Sequence, residues 1–240
     1  KLKLGTGKGI KRFTWDGRYE VSSPITFYEP DLSNPYASAD EGPMAVPGNY
    51  AVQLMRVYGG QVEQLTGKVP FELNTPGMST LPLPDVQQTK TFNKELANFR
   101  RVVLGTSDYL GVLKERAKYL KKGVSNGNVN ALELLPALND FELKRQQLEI
   151  KLYGDGSLAR REFETLPGFT GSLEGIVGAS WSQSGGATQT HRDKLAQLKK
   201  EFGDLYAAVL TLKDIMERAE AKAESLKMPA TYGRLPVWEK

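Results

Sequence analysis

An unbroken helical stripe from Leu195 to Leu226 restricts what this chain can fold into more than any other feature. Leu195, Leu198, Phe202, Leu205, Val209, Leu212, Met216, Ala219, Ala223 and Leu226 follow steps of three and four. That spacing keeps apolar side chains on one face of a helix that packs along others. Lys199, Lys200, Glu201, Asp204, Lys213, Asp214, Glu217 and Arg218 give the remaining faces charge of both signs. A helix from about residue 190 to 226 would be roughly 55 Å long, and it is stable only if other elements cover its stripe.

Two further stripes supply that cover. Phe92, Leu96, Phe99, Val103, Leu110, Leu113, Ala117 and Leu120 repeat the alternation, with Thr106 a polar step. Leu134, Leu138, Phe141, Leu148 and Leu152 repeat it again, with Arg145 out of pattern. The three stripes predict an antiparallel bundle of long helices over residues 85–227, a helical hairpin closed by the C-terminal rod. Asp85 is placed to cap the first helix. Gly123 to Asn128 breaks it, Asn128 or Asn130 starts the second with Pro136 in its opening turns, and Gly154-Asp155-Gly156 ends that one. Leu173, Ile176, Val177 and Trp181 mark a short helix between glycine-rich breaks at 167–186.

Residues 1–74 carry no helical period. Ile10 to Trp15 reads as a strand and Asp16-Gly17 as a turn. Tyr50, Val52 and Leu54 alternate with Ala51 and Gln53 as in a half-buried strand. Gly59-Gly60 reads as a hairpin, and Val69, Phe71 and Leu73 return, with Pro70 marking an edge. A small antiparallel β-sandwich fits these signals, which makes the chain α+β and multidomain. Between its strands lies a loop, 22–47, too long for a plain connection. Residues 75–84 hold three prolines and form a stiff, extended linker. Residues 228–240, with Pro229, Pro236, Tyr232 and Trp238, read as an extended strap whose aromatic residues need something to bury them, the bundle being the simplest candidate.

Composition removes several functions. Forty per cent hydrophobic and 25% charged residues describe an ordinary folded protein. A net charge of +4 without a concentrated basic stripe argues against nucleic acid. Lys114, Arg116, Lys118, Lys121 and Lys122 sit where cations complement a helix C-terminus. The chain contains no cysteine, so disulfides, thiolate nucleophiles and Cys-ligated metals are out. No apolar run approaches the roughly 20 residues of a membrane span, so no membrane insertion is expected. No signal peptide is visible, and a start at Lys1 without Met suggests a fragment or a processed piece.

Candidate chemistry is thin, and neither a cofactor nor a metal is expected. Gly5-Thr6-Gly7-Lys8-Gly9 lacks the spacing and the strand–loop–helix setting of a phosphate loop. His191 is the single histidine, read as a surface residue near a helix start. The carboxylate pairs Asp40/Glu41 and Glu162/Glu164 would need a cleft to serve glycoside hydrolysis, and read as solvated loop charges. Phe27, Tyr28 and Tyr36 in the long loop are the candidate binding residues: they either stack on sugar rings or cover the edge of the sandwich. Tyr232 and Trp238 are the candidate tail contacts.

Two groups of residues carry a resemblance. Gly9-Ile10-Lys11-Arg12-Phe13-Thr14-Trp15-Asp16-Gly17-Arg18-Tyr19 and Gly42-Pro43-Met44-Ala45-Val46-Pro47-Gly48-Asn49-Tyr50-Ala51-Val52-Gln53-Leu54 form the first. Phe92 to Leu120, with Leu166-Pro167-Gly168-Phe169 leading into the rod, form the second. Together they resemble the C-terminal region of large bacterial sortilin-like, BNR-repeat β-propeller proteins described as glycosyl-hydrolase-like. The resemblance implies an Ig-like module over 1–74 followed by the bundle. It further implies a secreted or cell-envelope location, and upstream domains of the same parent or an envelope protein as partner, with glycans a further possibility. Any catalytic residues would lie in the propeller, so none is assigned here. The expected role is a non-catalytic accessory or docking module, the alternative a carbohydrate-binding or glycoside-hydrolase-associated one using loop 22–47.

Overall fold

A computed structural model describes residues 3–27, 29–31, 33–37, 39–75, 77, 85–127, 129–183 and 185–238. Four strands come first: β1 (Gly48–Val52), β2 (Met55–Tyr58), β3 (Gln61–Gln64) and β4 (Val69–Leu73). Five α-helices follow: α1 (Val86–Asn126), α2 (Leu135–Tyr153), α3 (Gly156–Ala159), α4 (Phe169–Trp181) and α5 (Gln189–Ser225), with a 3-10 segment at Val129–Leu134 before α2.

The helix limits follow from local chemistry. Asp85 accepts from the Gln88 N–H at 2.9 Å, and Thr188 accepts from the His191 N–H, so each long helix has an orphan donor satisfied at its start. The His191 ring returns the favour by accepting the Thr188 N–H. Pro136 delays α2: the chain passes through the 3-10 segment first, and proline then occupies an opening position where its missing N–H costs nothing. Gly154, at φ 87°, ends α2 in a conformation that favours glycine.

The three stripes meet as one core. Leu96, Val103, Leu110, Leu113 and Leu120 of α1, Phe141 and Leu152 of α2, and Leu198, Leu212 and Met216 of α5 are all nearly inaccessible. Each leucine so buried is worth roughly 2 kcal/mol in transfer terms. Phe99, Phe169 and Phe202 join α1, α4 and α5 with ring centroids 5.5–6.3 Å apart.

Ion pairs between the helices fix their directions. Glu95 pairs with Lys199 and Arg116 with Glu220, both 104 residues apart, so α1 and α5 run parallel. Lys114 meets Glu149 and Lys222 meets Glu133, so α2 runs against them. Gly154 and Gly168 lie backbone to backbone, and a Cβ on Gly168 would fall 2.7 Å from the Leu152 carbonyl oxygen. Thr170 Oγ1 also donates to Leu152 O at 2.8 Å. Residues 155–167 therefore leave and return at one point, and α4 takes up the column where α2 stops.

The α+β reading with an Ig-like β-sandwich over 1–74 is overturned. The chain is a single helical bundle with a small β hairpin. The strands pair β1 with β4 and β2 with β3, two stretches of one long hairpin turned at Gly59 and Gly60, both at positive φ. A sandwich needs two sheets closing on one apolar layer, whereas the two ladders here have two strands each and follow one another along the same hairpin. The segment expected as a strand, Ile10 to Trp15, forms no ladder; Ile10 is fully exposed, and the arm before β1 makes one isolated bridge, Arg18 to Met44. Glycines at 5, 7, 9 and 17 and prolines at 24, 30, 35, 43 and 47 break that arm too often for a ladder to propagate. The proline-rich linker lies outside the described residues except at Thr75 and Gly77.

Candidate functional site

The strongest concentration of polar chemistry is where the arm crosses the bundle. Arg100 sits on the α1 stripe four residues after Leu96, which forces its guanidinium inward, and only 7% of the residue is exposed. Its Nε donates to Glu174 of α4 at 2.8 Å. Nη1 donates to Ser22 and Ser23 at 3.1 and 3.0 Å, and Nη2 to Asp40 at 3.2 Å. The guanidinium also stands 5.6 Å from the centre of the Trp181 ring. Burial alone would pull its pKa down, but the bonds to Glu174 and Asp40 outweigh this and hold it above the ordinary value.

A second arginine extends the junction. Arg18 Nη1 donates to Gly42 O at 3.1 Å and to Trp181 O at 3.2 Å, and Nη2 pairs with Glu41. The two segments of the arm are tied by Tyr19 N to Pro43 O and Ala45 N to Gly17 O, at 2.9 and 2.7 Å. Of the two carboxylates read as solvated charges, Asp40 ties the arm to α1 through Arg100, while Glu41, 59% exposed, pairs with Arg18 inside the arm. Each nitrogen of the Arg100 guanidinium donates to a protein acceptor, so the junction fastens the arm to the bundle.

The arm carries the hairpin. Trp15 packs on Tyr50 and Phe71 with centroids 5.7 and 6.0 Å away, and its Nε1 donates to Arg18 O at 2.8 Å. The Tyr19 and Tyr50 hydroxyls bond at 2.9 Å, and Tyr50 donates to Val46 O. Burial and the Tyr19 hydroxyl push the Tyr50 pKa up to about 12. Beyond this aromatic knot the hairpin is bare: Val52, Met55, Val57, Val62 and Val69 are all more than half exposed. An isolated two-stranded hairpin is marginal in water, and apolar exposure on this scale is uncommon on a monomer.

The remaining candidates fall in different places. Phe27 and Tyr36 are almost wholly exposed, so they cover no sheet edge; Tyr28 lies outside the described residues. Tyr232 rests on Tyr119, ring centroids 5.5 Å apart. Trp238, expected against the bundle, is 81% exposed. The strap is held instead by Met228, which is buried, and by Arg234, which pairs with Glu224 and donates to Met228 O. No group of three or more His, Cys, Asp or Glu among the described residues is placed to hold a metal. A groove of about 260 Å³ between α2 and α5, floored by Leu148, Leu205 and Leu212 with Lys144, Lys151 and Asp204 on its rim, gathers no catalytic constellation. No helix among the described residues is long and apolar enough to cross a membrane.

Arg100 and Trp181 were not singled out as site residues by sequence reasoning. The signal was there for Arg100, a charge in phase with an apolar stripe, as Arg145 is. Its partners on the arm were not legible, because 60 or more residues separate them. The chain matches no protein-family model, and no curated protein or solved structure matches it significantly.

Proposed function

We propose that this chain is a non-catalytic accessory and docking module of a larger secreted or envelope β-propeller protein, the setting its sequence resemblance implies. The observation that carries the reading is the bare hairpin on a fastened arm. Arg100 and Arg18 fix the arm to a rigid bundle, and the arm holds out strands whose apolar side chains face solvent. A hairpin anchored so firmly and covered so little is built to be completed by something else. The natural species in the producing cells tests this. Intact mass and size-exclusion chromatography are expected to place the chain within a longer propeller-bearing polypeptide, or in a stoichiometric complex with one. A lone species of 26.6 kDa in those cells would overturn the proposal.

A second reading draws on the open aromatic rings. Phe27 and Tyr36 stand free of the fold and are available to stack on sugar rings, so the module would bind carbohydrate beside a glycoside hydrolase. Saturable binding on a glycan panel, lost in Phe27→Ala and Tyr36→Ala, is its expected signature; absence of binding across the panel would remove it.

A further inference from the structure

The two edges of the hairpin differ. Pro70 has no N–H, so Ala51 and Pro70 face each other as a non-hydrogen-bonded pair. Alternation from there turns the backbone groups of Asn49 and Ala51 away from β4. At the other end the two-residue Gly59-Gly60 turn closes on the hydrogen-bonded pair Tyr58 and Gln61, which turns those of Val57 and Met55 outward. Between the two ladders, Leu54 accepts from Leu65 and Thr66, so Leu54 faces inward and the phase is kept. From residue 49 to 57 the odd positions therefore present one continuous row of outward N–H and C=O groups. Among the described residues, no backbone group of another segment pairs with that row.

The opposite edge is blunted: Pro70 removes a donor, and Lys68 and Glu72 flank it, devices that discourage strand addition. The 49–57 edge has no proline, and its one charge, Arg56, is held by Glu63 at 2.6 Å. An incoming strand meets no uncompensated charge there and lies between Tyr50, Val52 and Leu54 on one side and Met55 and Val57 on the other.

We infer that the edge from Asn49 to Val57 is a docking site for an extended β-strand of the partner polypeptide, uncharged and apolar on both faces, added by main-chain hydrogen bonds. This rests on the docking-module reading and names where the docking occurs. Hydrogen exchange read by mass spectrometry, on the species purified from the producing cells and on the 240-residue chain alone, tests it. In the chain alone the amides of Ala51, Gln53, Met55 and Val57 exchange freely; in the native species they are expected to slow about a hundredfold. Ala51→Pro removes one outward donor without touching the β1–β4 ladder and is expected to abolish that protection, while Glu72→Pro, its counterpart on the blunted edge, leaves it intact. A native species that holds its partner yet exchanges freely at 49–57 overturns this inference and spares the docking reading. Protection that instead appears in the chain alone as its concentration rises shows a second copy on the edge, and overturns it too. A chain found without any partner removes both.

Discussion

Replacing Arg100 with methionine should free the arm while leaving the bundle folded. Methionine refills most of the volume, so the change removes charge and hydrogen bonds rather than opening a cavity. Hydrogen bonds to charged groups are worth about 1.5–3 kcal/mol when dry and ion pairs under about 1 kcal/mol when open to water. Asp40 and Glu174 are 39% and 41% exposed at their side chains, so each belongs near the lower figure, and both can turn to solvent once the arginine is gone. Ser22 is buried and loses a full partner, and the stacking on Trp181 adds about 1 kcal/mol. The net is about 3 kcal/mol, a change of roughly a hundredfold in the population with the arm released. The amides of Tyr19 and Ala45 bond to Pro43 O and Gly17 O within the arm, a pairing too short to persist in water once it is lifted off the bundle, so hydrogen exchange at these two amides follows the release. They are expected to exchange about a hundredfold faster in Arg100→Met. Arg145→Met, which breaks only pairs to Glu142 and Glu149, leaves them unchanged. Exchange at Tyr19 and Ala45 within twofold of the parent would refute the idea that Arg100 fastens the arm.

Gly168→Ala drives a methyl group against the backbone of residues 152–154 and is expected to cost about 2–3 kcal/mol, seen as a lower denaturant midpoint; Gly175→Ala, with open space around it, is the matched comparison and should not weaken the protein. Tyr50 supplies a pH test. Its folded pKa is raised to about 12, above its unfolded value near 10, so its contribution is fully present below pH 10 and is lost as pH rises toward 12. Absorbance titration should find one phenol ionising near pH 12 in the parent and not in Tyr50→Phe, and loss of that phenol's delay in Tyr19→Phe would identify the hydroxyl pair as part of the cause.

The helical half was legible because a stripe is a local statement: Leu195 to Leu226 names its own face, and Asp85 and Gly154 name their own ends. Direction was not local. Nothing within α1 or α5 tells that they run parallel; that follows from residues 155–167 returning to their starting point before α4. The β half misled for the same reason. Tyr50, Val52 and Leu54 alternate as a strand with one buried face does, and with the other β signals that alternation fits a small sandwich. It records a face that wants cover, and the described chain does not contain the cover. Asp40 reads as a solvated charge because its partner lies 60 positions away, and Trp238 reads as a tail contact against the bundle because side-chain type says nothing of where an extended tail ends.

The meeting of Gly154 with Gly168 has an evolutionary reading. Because the ends of segment 155–167 touch, its contents are not coupled to the helix spacing. Lengthening a loop of this kind costs only logarithmically in closure entropy. The exposed side chains it carries, Phe163 and Leu166 among them, can be exchanged wholesale without moving a core residue. The bundle therefore has a built-in insertion point, where a new epitope, tag or binding loop can be grafted onto a frame that does not register the change.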